Sequence, residues 1–198
     1  MIEKGDLLKL VSATQNYDEC LKIVRKYIIH GIPYVFQDRE NDYYEFRDRI
    51  AKNFQINFHE VLILGSAKLG YSYYKDTVFS AESDIDVALV NERLFEWYYN
   101  NICDYQYKID KGNITMTQQE NKEYNTFLQY LIKGWMRPDM LPPRFQILSM
   151  KQDWFDFFKS ISYDKSPVGN YKVAGGLFKN YHYMEKYYAE SLLRIKTN

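Results

Sequence analysis

Residues 61–90, VLILGSAKLGYSYYKDTVFSAESDIDVALV, carry two polar motifs on two apolar segments, and the rest of the chain is arranged around them. The apolar run Val61–Leu64 predicts a short buried strand that ends in Gly65-Ser66. A second apolar segment opens with Ser83-Asp84-Ile85-Asp86 and predicts another strand. Two strands with these polar ends indicate a site for phosphate and metal.

Asp84 and Asp86 are the first candidates for chemistry. Side chains alternate between the two faces of a strand, so both carboxylates point to the same side, roughly 7 Å apart along the backbone. Unpaired carboxylates side by side repel each other, and Mg²⁺ removes the repulsion because it prefers hard oxygen ligands. The alternative is an acidic pair at a strand end that is solvated or satisfied by turn amides.

The residues after the first strand are typical of a phosphate-binding turn. Gly65 allows a tight turn because it has no Cβ. Ser66 would begin a short helix, where its hydroxyl and the free amides can hold phosphate oxygens. Lys68 adds a cation near that position. Together with Asp84 and Asp86, this turn favours a joint phosphate and metal site over a solvated acidic pair.

At these residues the chain resembles the DNA polymerase beta-like nucleotidyltransferase superfamily, and in particular small bacterial nucleotidyltransferase-domain proteins. The resemblance implies that Gly65 and Ser66 bind the triphosphate of an NTP and that Asp84 and Asp86 hold two Mg²⁺ ions. Ser83, directly before the acidic pair, joins the predicted nucleotide-binding residues. Many such proteins belong to phage-defence or toxin–antitoxin modules, which implies a protein partner encoded with this one. Residues 71–82 read as a loop inserted at the mouth of the site.

A third carboxylate usually completes the metal site in active relatives, and it comes from a later strand. The later strand predicted here, residues 170–178, contains no acidic residue. Asp110, near a shorter predicted strand at residues 114–116, is the chosen catalytic candidate. Asp104 also lies near that strand, and Asp153 and Asp156 lie on a predicted helix.

Residues 134–139, GWMRPD, look like a second block of the same family. Arg137 and Trp135 beside a rigid proline could hold a phosphate and a base, so Arg137 is a candidate nucleotide-binding residue. The alternative is that Arg137 and Asp139 cap the loop.

The coarse pattern predicts an α+β fold, with a small nucleotidyltransferase-like mixed sheet flanked by helices. A single domain over residues 1–198 is expected, with a helical segment at 1–58, the metal and nucleotide core at 59–118, and a helical segment with a late strand at 119–198. Helical spacing predicts helices over residues 17–30, 40–53, 94–102, 120–135, 151–161 and 180–196. Pro138, Pro142 and Pro143 predict an extended stretch.

Composition narrows the class of protein further. The 26 basic and 26 acidic residues cancel, so the overall charge implies no attraction to nucleic acid. The two cysteines have no metal spacing and fit reduced thiols, and no signal peptide or membrane-spanning run is read. We therefore expect a cytoplasmic protein with no membrane partner.

The sequence as a whole predicts a Mg²⁺-dependent nucleotidyltransferase, which moves a nucleoside monophosphate from an NTP to a hydroxyl acceptor. The acceptor is left open among RNA, protein and a second nucleotide. One alternative is a catalytically weak nucleotide-binding regulator of a defence module. Another is an interaction scaffold built from tyrosine-rich helices, since the chain has 20 tyrosines.

Overall fold

The computed structural model describes residues 1–141 and 148–196. Within them the α-helices are α1 (Lys4–Ala13), α2 (Tyr17–Ile23), α3 (Glu40–Phe54), α4 (Gly65–Leu69), α5 (Glu92–Asp110), α6 (Gln118–Leu131), α7 (Leu148–Ser160) and α8 (Tyr181–Lys196). The strands are β1 (Val61–Leu64), β2 (Tyr71–Ser72), β3 (Thr77–Val78), β4 (Ile85–Val90), β5 (Trp135–Met136) and β6 (Val173–Phe178).

A mixed four-stranded sheet in the order β1-β4-β6-β5 lies at the centre of the fold. β4 pairs with β1 in the antiparallel sense and with β6 in the parallel sense, while β5 runs antiparallel to β6. The hairpin β2–β3 forms a separate small sheet within residues 71–82. The parallel pair β4–β6 requires a long crossover, which helices α5, α6 and α7 provide.

Both faces of the sheet are covered by helices, because alternate residues of the strands enter different cores. Ile85, Val87 and Leu89 belong to a cluster with side chains of α3, α5, α6 and α7. Leu64, Ala88 and neighbouring residues pack with α1, α2 and α8 on the other side. Five of the six residues of β4 are therefore buried, and Asp86 is the exception. The chain is thus a three-layer α/β/α arrangement with one polar position in its central strand.

Arg47 on α3 fixes the entry into β1. Its guanidinium donates hydrogen bonds to the carbonyl oxygens of Val61 at 2.7 Å and Phe58 at 2.9 Å, and it lies over the ring of Phe58. The side chain is almost fully buried, so these acceptors replace the water that the guanidinium loses. This contact holds the first strand against α3 and sets the position of the turn that follows it.

The predicted α+β class with a small mixed sheet flanked by helices is confirmed. The six predicted helices are present with shifted ends, and the first of them continues beyond α2 as a π-helical turn, Val24–Ile29. The strand predicted at residues 114–116 is wrong: Ile114 and Met116 pack against the core without pairing to a strand. Trp135, predicted as the last residue of a helix, and Met136, predicted in the loop that follows, instead form the edge strand β5.

Pro138 begins a 3-10 turn directly after Arg137. Pro142 and Pro143 lie outside the described residues. In the part of the chain that the structure describes, no helix is long and apolar enough to cross a membrane.

Candidate functional site

The turn after β1 lies directly against the acidic pair. Leu64, the last residue of β1, pairs with Asp86 of β4. Gly65 follows with φ +65°, and a Cβ built on it would lie 2.6 Å from Oδ2 of Asp86. Glycine is therefore required at this position for two reasons: the backbone is left-handed, and the carboxylate approaches too closely for a Cβ. The structure brings together the two motifs that the sequence separates by a loop.

Asp84 directly precedes β4, and Asp86 is the second residue of that strand. Ile85 between them is fully buried among the residues that pack against α3 and α5–α7, so its two neighbours point to the opposite face. Burial is the largest cause that raises the pKa of Asp86, and the negative charge of Asp84 raises it further. The predicted like-charge pair is present in this geometry.

Asp86 combines solvent exposure with a crowded environment. Its side chain is open to solvent, yet lost hydration raises its pKa. A carboxylate that has protein atoms close by and is still reached by solvent satisfies both observations, and we call the exposed surface around Asp84 and Asp86 the cleft. Both acids are exposed, so a ligand can reach them from the solvent side.

The charges of three cations from different parts of the chain act on the acids. Lys172, directly before β6, places its Nζ 3.0 Å from Oδ2 of Asp84. Arg137, directly after β5, and Lys75 of the β2–β3 hairpin both lower the pKa of Asp86 through their charges. The site therefore contains both negative and positive side chains, which suits a ligand that carries both a divalent cation and phosphates.

Arg137 has two roles in the structure. Its Nη2 and Nε donate to Asp139 at 2.6 and 3.2 Å, which is the loop-capping contact considered as the alternative. The pKa of Arg137 is raised first by this hydrogen bond, and also by the charges of Asp86 and Asp84. The guanidinium is thus held in place by Asp139 while it faces the acidic pair.

Aromatic residues of α8 form a further wall that the sequence did not single out. The ring of Tyr187 stacks on Trp135 with centroids 5.7 Å apart, and the charge of Asp86 acts on both Tyr187 and Tyr188. Trp135 also lies over Gly176 of β6, where a Cβ would be 2.9 Å from its Nε1. The sequence signal for this contact is the adjacent pair Tyr187-Tyr188 in the last predicted helix, but it does not stand out in a chain with 20 tyrosines.

Lys68, predicted to bind phosphate, is engaged elsewhere. Its Nζ donates to the carbonyl oxygens of His30 at 2.6 Å and Gly31 at 2.5 Å, and the side chain is almost fully buried. Burial lowers its pKa to about 8. These contacts tie α4 to the segment after the π-helical turn, so the structure gives Lys68 an architectural role and no contact with the acids.

The two predicted serines occupy different settings. Ser66 is half-buried on the first turn of α4, directly after Gly65. The hydroxyl of Ser83 accepts a hydrogen bond from the amide of Ser80 at 3.0 Å. Ser66 thus remains a candidate for phosphate contact, whereas Ser83 shapes the turn that leads into Asp84.

Asp110 does not supply a third carboxylate in this structure. It is the exposed last residue of α5, where it accepts a hydrogen bond from Gln106 at 2.8 Å. Among the described residues no three His, Cys, Asp or Glu side chains form a group that could hold a metal ion. On the neighbouring strand, Ala174 lies beside Asp86. Asp84 and Asp86 are therefore the two acids that the structure brings together here.

Two other concavities lie away from the acidic pair. One, of about 860 Å³, follows the polar face of α6, and its lining includes Thr117, Asn121 and Gln129. The other, of about 290 Å³, lies between the N-terminus and the β2–β3 hairpin. The second concavity is also lined by ionisable groups, Glu3, Lys4 and Asp76, but Lys4 and Asp76 pair with each other, whereas Asp84 and Asp86 are two acids whose charges repel.

Comparison of the chain with models of protein families, with curated proteins and with solved structures finds no match. The functional proposal therefore depends on the residues around Asp84 and Asp86 and on their geometry.

Proposed function

We propose that the chain is a Mg²⁺-dependent nucleotidyltransferase with a nucleotidyltransferase-like sheet, and that it binds an NTP in the cleft at Asp84 and Asp86. The observation that carries the proposal is the approach of Gly65 to Asp86, with the Cβ position of Gly65 only 2.6 Å from the carboxylate. A turn free of side chains beside two carboxylates supplies what a metal–triphosphate ligand needs from a protein.

Different residues would contact different parts of the ligand. Gly65 and Ser66 form the turn along which the triphosphate would lie, and Asp84 and Asp86 would hold the magnesium. Lys172 and Arg137 add positive charge on the β6 side of the cleft, where phosphate oxygens gain most from it. When bound, Mg²⁺ would offset the negative charge that develops on the triphosphate during transfer.

The proposed reaction is an in-line displacement at phosphorus. The acceptor hydroxyl oxygen bonds to the α-phosphorus, the bond from that phosphorus to the bridging oxygen breaks, and pyrophosphate and the hydroxyl proton are released. Such transfer depends mainly on positioning and charge neutralisation, so few side chains need to take part. The open cleft and its charged rim are consistent with that requirement.

Thermal unfolding with each NTP and Mg²⁺ tests binding. A ligand that binds only the folded state at about 100 times its Kd adds roughly 2.7 kcal/mol of stability. We expect this stabilisation in the wild type and its loss in Asp86→Ala. Asp104→Ala, an exposed acid on α5, serves as the control that should behave like the wild type. Equal stabilisation of Asp86→Ala and wild type would contradict the proposed site.

Incubation with α-labelled NTP tests transfer. Label should move to an acceptor in the presence of Mg²⁺, and both Asp84→Ala and Asp86→Ala should abolish this transfer while the proteins stay folded. Wild-type transfer by Asp86→Ala would rule out the mechanism.

A second candidate function is nucleotide binding without transfer, as expected of a regulatory partner in a defence module. The observation in its favour is that β6 presents Ala174 beside Asp86 and Lys172 beside Asp84, where an acid would complete a metal site. NTP-dependent stabilisation without any transfer of label would favour this candidate over the enzyme.

A further inference from the structure

Lys172 occupies a defined place next to the acidic pair. Ile85 pairs with Val173 in the parallel register of β4 and β6, and the amide of Ile85 donates to the carbonyl oxygen of Lys172 at 2.8 Å. The backbone therefore fixes Lys172 beside Asp84, and the side chain places its ammonium 3.0 Å from Oδ2 of that residue. The lysine is set by strand pairing and does not depend on a flexible loop.

β6 also determines which other side chain lies beside the acids. Residues that pair across neighbouring strands point to the same face, so Ala174 lies beside Asp86 as Lys172 lies beside Asp84. The edge of β6 thus offers the acidic pair one ammonium and one methyl group. A second divalent ion would need oxygen ligands at these positions and would be repelled by the ammonium.

From this register we infer that the site takes one divalent cation with its nucleotide, and that the ammonium of Lys172 supplies the positive charge of a second ion. The inference rests on the proposed nucleotide site and specifies the number of divalent ions that this site binds. Asp84 and Lys172 are 46% and 54% exposed, so their ion pair adds little stability. What matters is that strand pairing fixes the backbone of Lys172, so that its charge stays close to Asp84.

Manganese binding tests the inference without any assay of activity. Electron paramagnetic resonance of Mn²⁺, recorded with a non-hydrolysable NTP analogue, counts the bound ions and detects whether two lie within about 4 Å, the spacing of a two-metal site. The wild type should bind one Mn²⁺ per chain with an uncoupled spectrum. Lys172→Asp, which places a third carboxylate beside Asp84, should bind two with a coupled spectrum.

Two further variants complete the design. Lys159→Asp makes the same charge change on the exposed face of α7, which packs on the side of the sheet that faces away from the acids, and should still bind one ion. Lys172→Gln removes the charge without adding a ligand, and it should bind the nucleotide analogue roughly tenfold more weakly because one charge-assisted contact is lost. It also keeps the test decisive if Lys172→Asp does not fold.

The outcomes are distinct. Two ions in the wild type, one ion in folded Lys172→Asp, or unchanged nucleotide affinity in Lys172→Gln would each overturn the inference. A wild type that binds neither Mn²⁺ nor the analogue would instead show that the proposed nucleotide site is wrong.

Discussion

Gly65 shows how one residue can serve both the backbone and the site. The substitution Gly65→Ala would force a side chain into a left-handed backbone and against Asp86. We expect a loss of about 1–2 kcal/mol of stability from the backbone alone, with a further loss from the displaced carboxylate. Urea unfolding and NTP-dependent thermal stabilisation measure the two effects.

Gly112→Ala is the matched control for this prediction. Gly112 has φ +72°, close to that of Gly65, but nothing lies within 4 Å of its Cβ position. It should lose only the backbone contribution and keep any nucleotide binding. If the two variants proved alike in both measurements, the contact between Gly65 and Asp86 would have no functional weight.

The raised pKa of Asp86 predicts a stability change that depends on pH. Because burial and Asp84 raise this pKa above the value in the unfolded chain, the folded protein binds the proton more tightly. The resulting stability is present below the usual aspartate pKa of about 3.9 and is lost as pH rises through the folded value. Asp86→Asn, which stays neutral, should therefore melt higher than the metal-free wild type at about pH 7.

Thermal melts in a chelator across the acidic range check this expectation. The difference in melting temperature should shrink as the pH approaches the usual aspartate pKa, where the wild-type residue becomes neutral as well. A difference that stays constant with pH would instead point to a packing effect of the asparagine.

At the scale of elements, β6 is held to α7 by a glycine that leaves room for a ring. A Cβ on Gly175 would lie 2.1 Å from Cζ of Phe158, which is buried and packed against Trp154 and Phe54. Gly175→Ala should cost about 1–3 kcal/mol, because the confined ring cannot move aside.

Calorimetry checks the Gly175 prediction, with a fall in Tm of about 2–4 °C expected for each kcal/mol lost. Combining Gly175→Ala with Phe158→Leu provides the control. The double variant should lose less stability than the sum of the two single changes, since the smaller side chain relieves the overlap. Strict additivity would mean that the ring is not the obstacle.

The helices and strands also show how much of the secondary structure the local sequence pattern predicts. Helical spacing predicted α3, α6 and α8 because each must bury one face, and that requirement is written in the local sequence. The pattern at residues 114–116 was misread, since Ile114 and Met116 are apolar for core contact and have no strand partner. β5 was missed because its two residues become a strand only through pairing with Leu177 and Phe178.

For the whole molecule, the buried tyrosines predict loss of stability in alkali. Burial raises the pKa of Tyr71 and Tyr73 to about 12 each, and it also raises the pKa of Tyr98, Tyr124 and Tyr188. These groups stay protonated in the folded chain after the unfolded chain ionises near about pH 10. Their contribution is complete below that pH and is lost as pH rises through the folded values.

Urea unfolding at a series of alkaline pH values should therefore show stability falling steeply above about pH 10. Lys68, whose pKa burial lowers to about 8, acts in the opposite sense at lower pH, because the folded chain releases that proton first. Phenolate absorbance gives an independent check: a group of tyrosines should ionise only as the protein unfolds. Ionisation of all of them near pH 10 in the folded protein would contradict the packing described above.

The sequence alone determined that β1 and β4 are strands, that Gly65 makes a turn, and that Asp84 and Asp86 share a face. Each of these follows from rules that act over a few neighbouring residues, namely side-chain alternation and the freedom of glycine. Only the tertiary structure decided that Lys172, 88 residues away, faces Asp84, that Lys68 turns to backbone carbonyls, and that Arg137 joins the cleft. Those contacts depend on which strands pair and in which register, and local sequence pattern carries no record of that long-range choice.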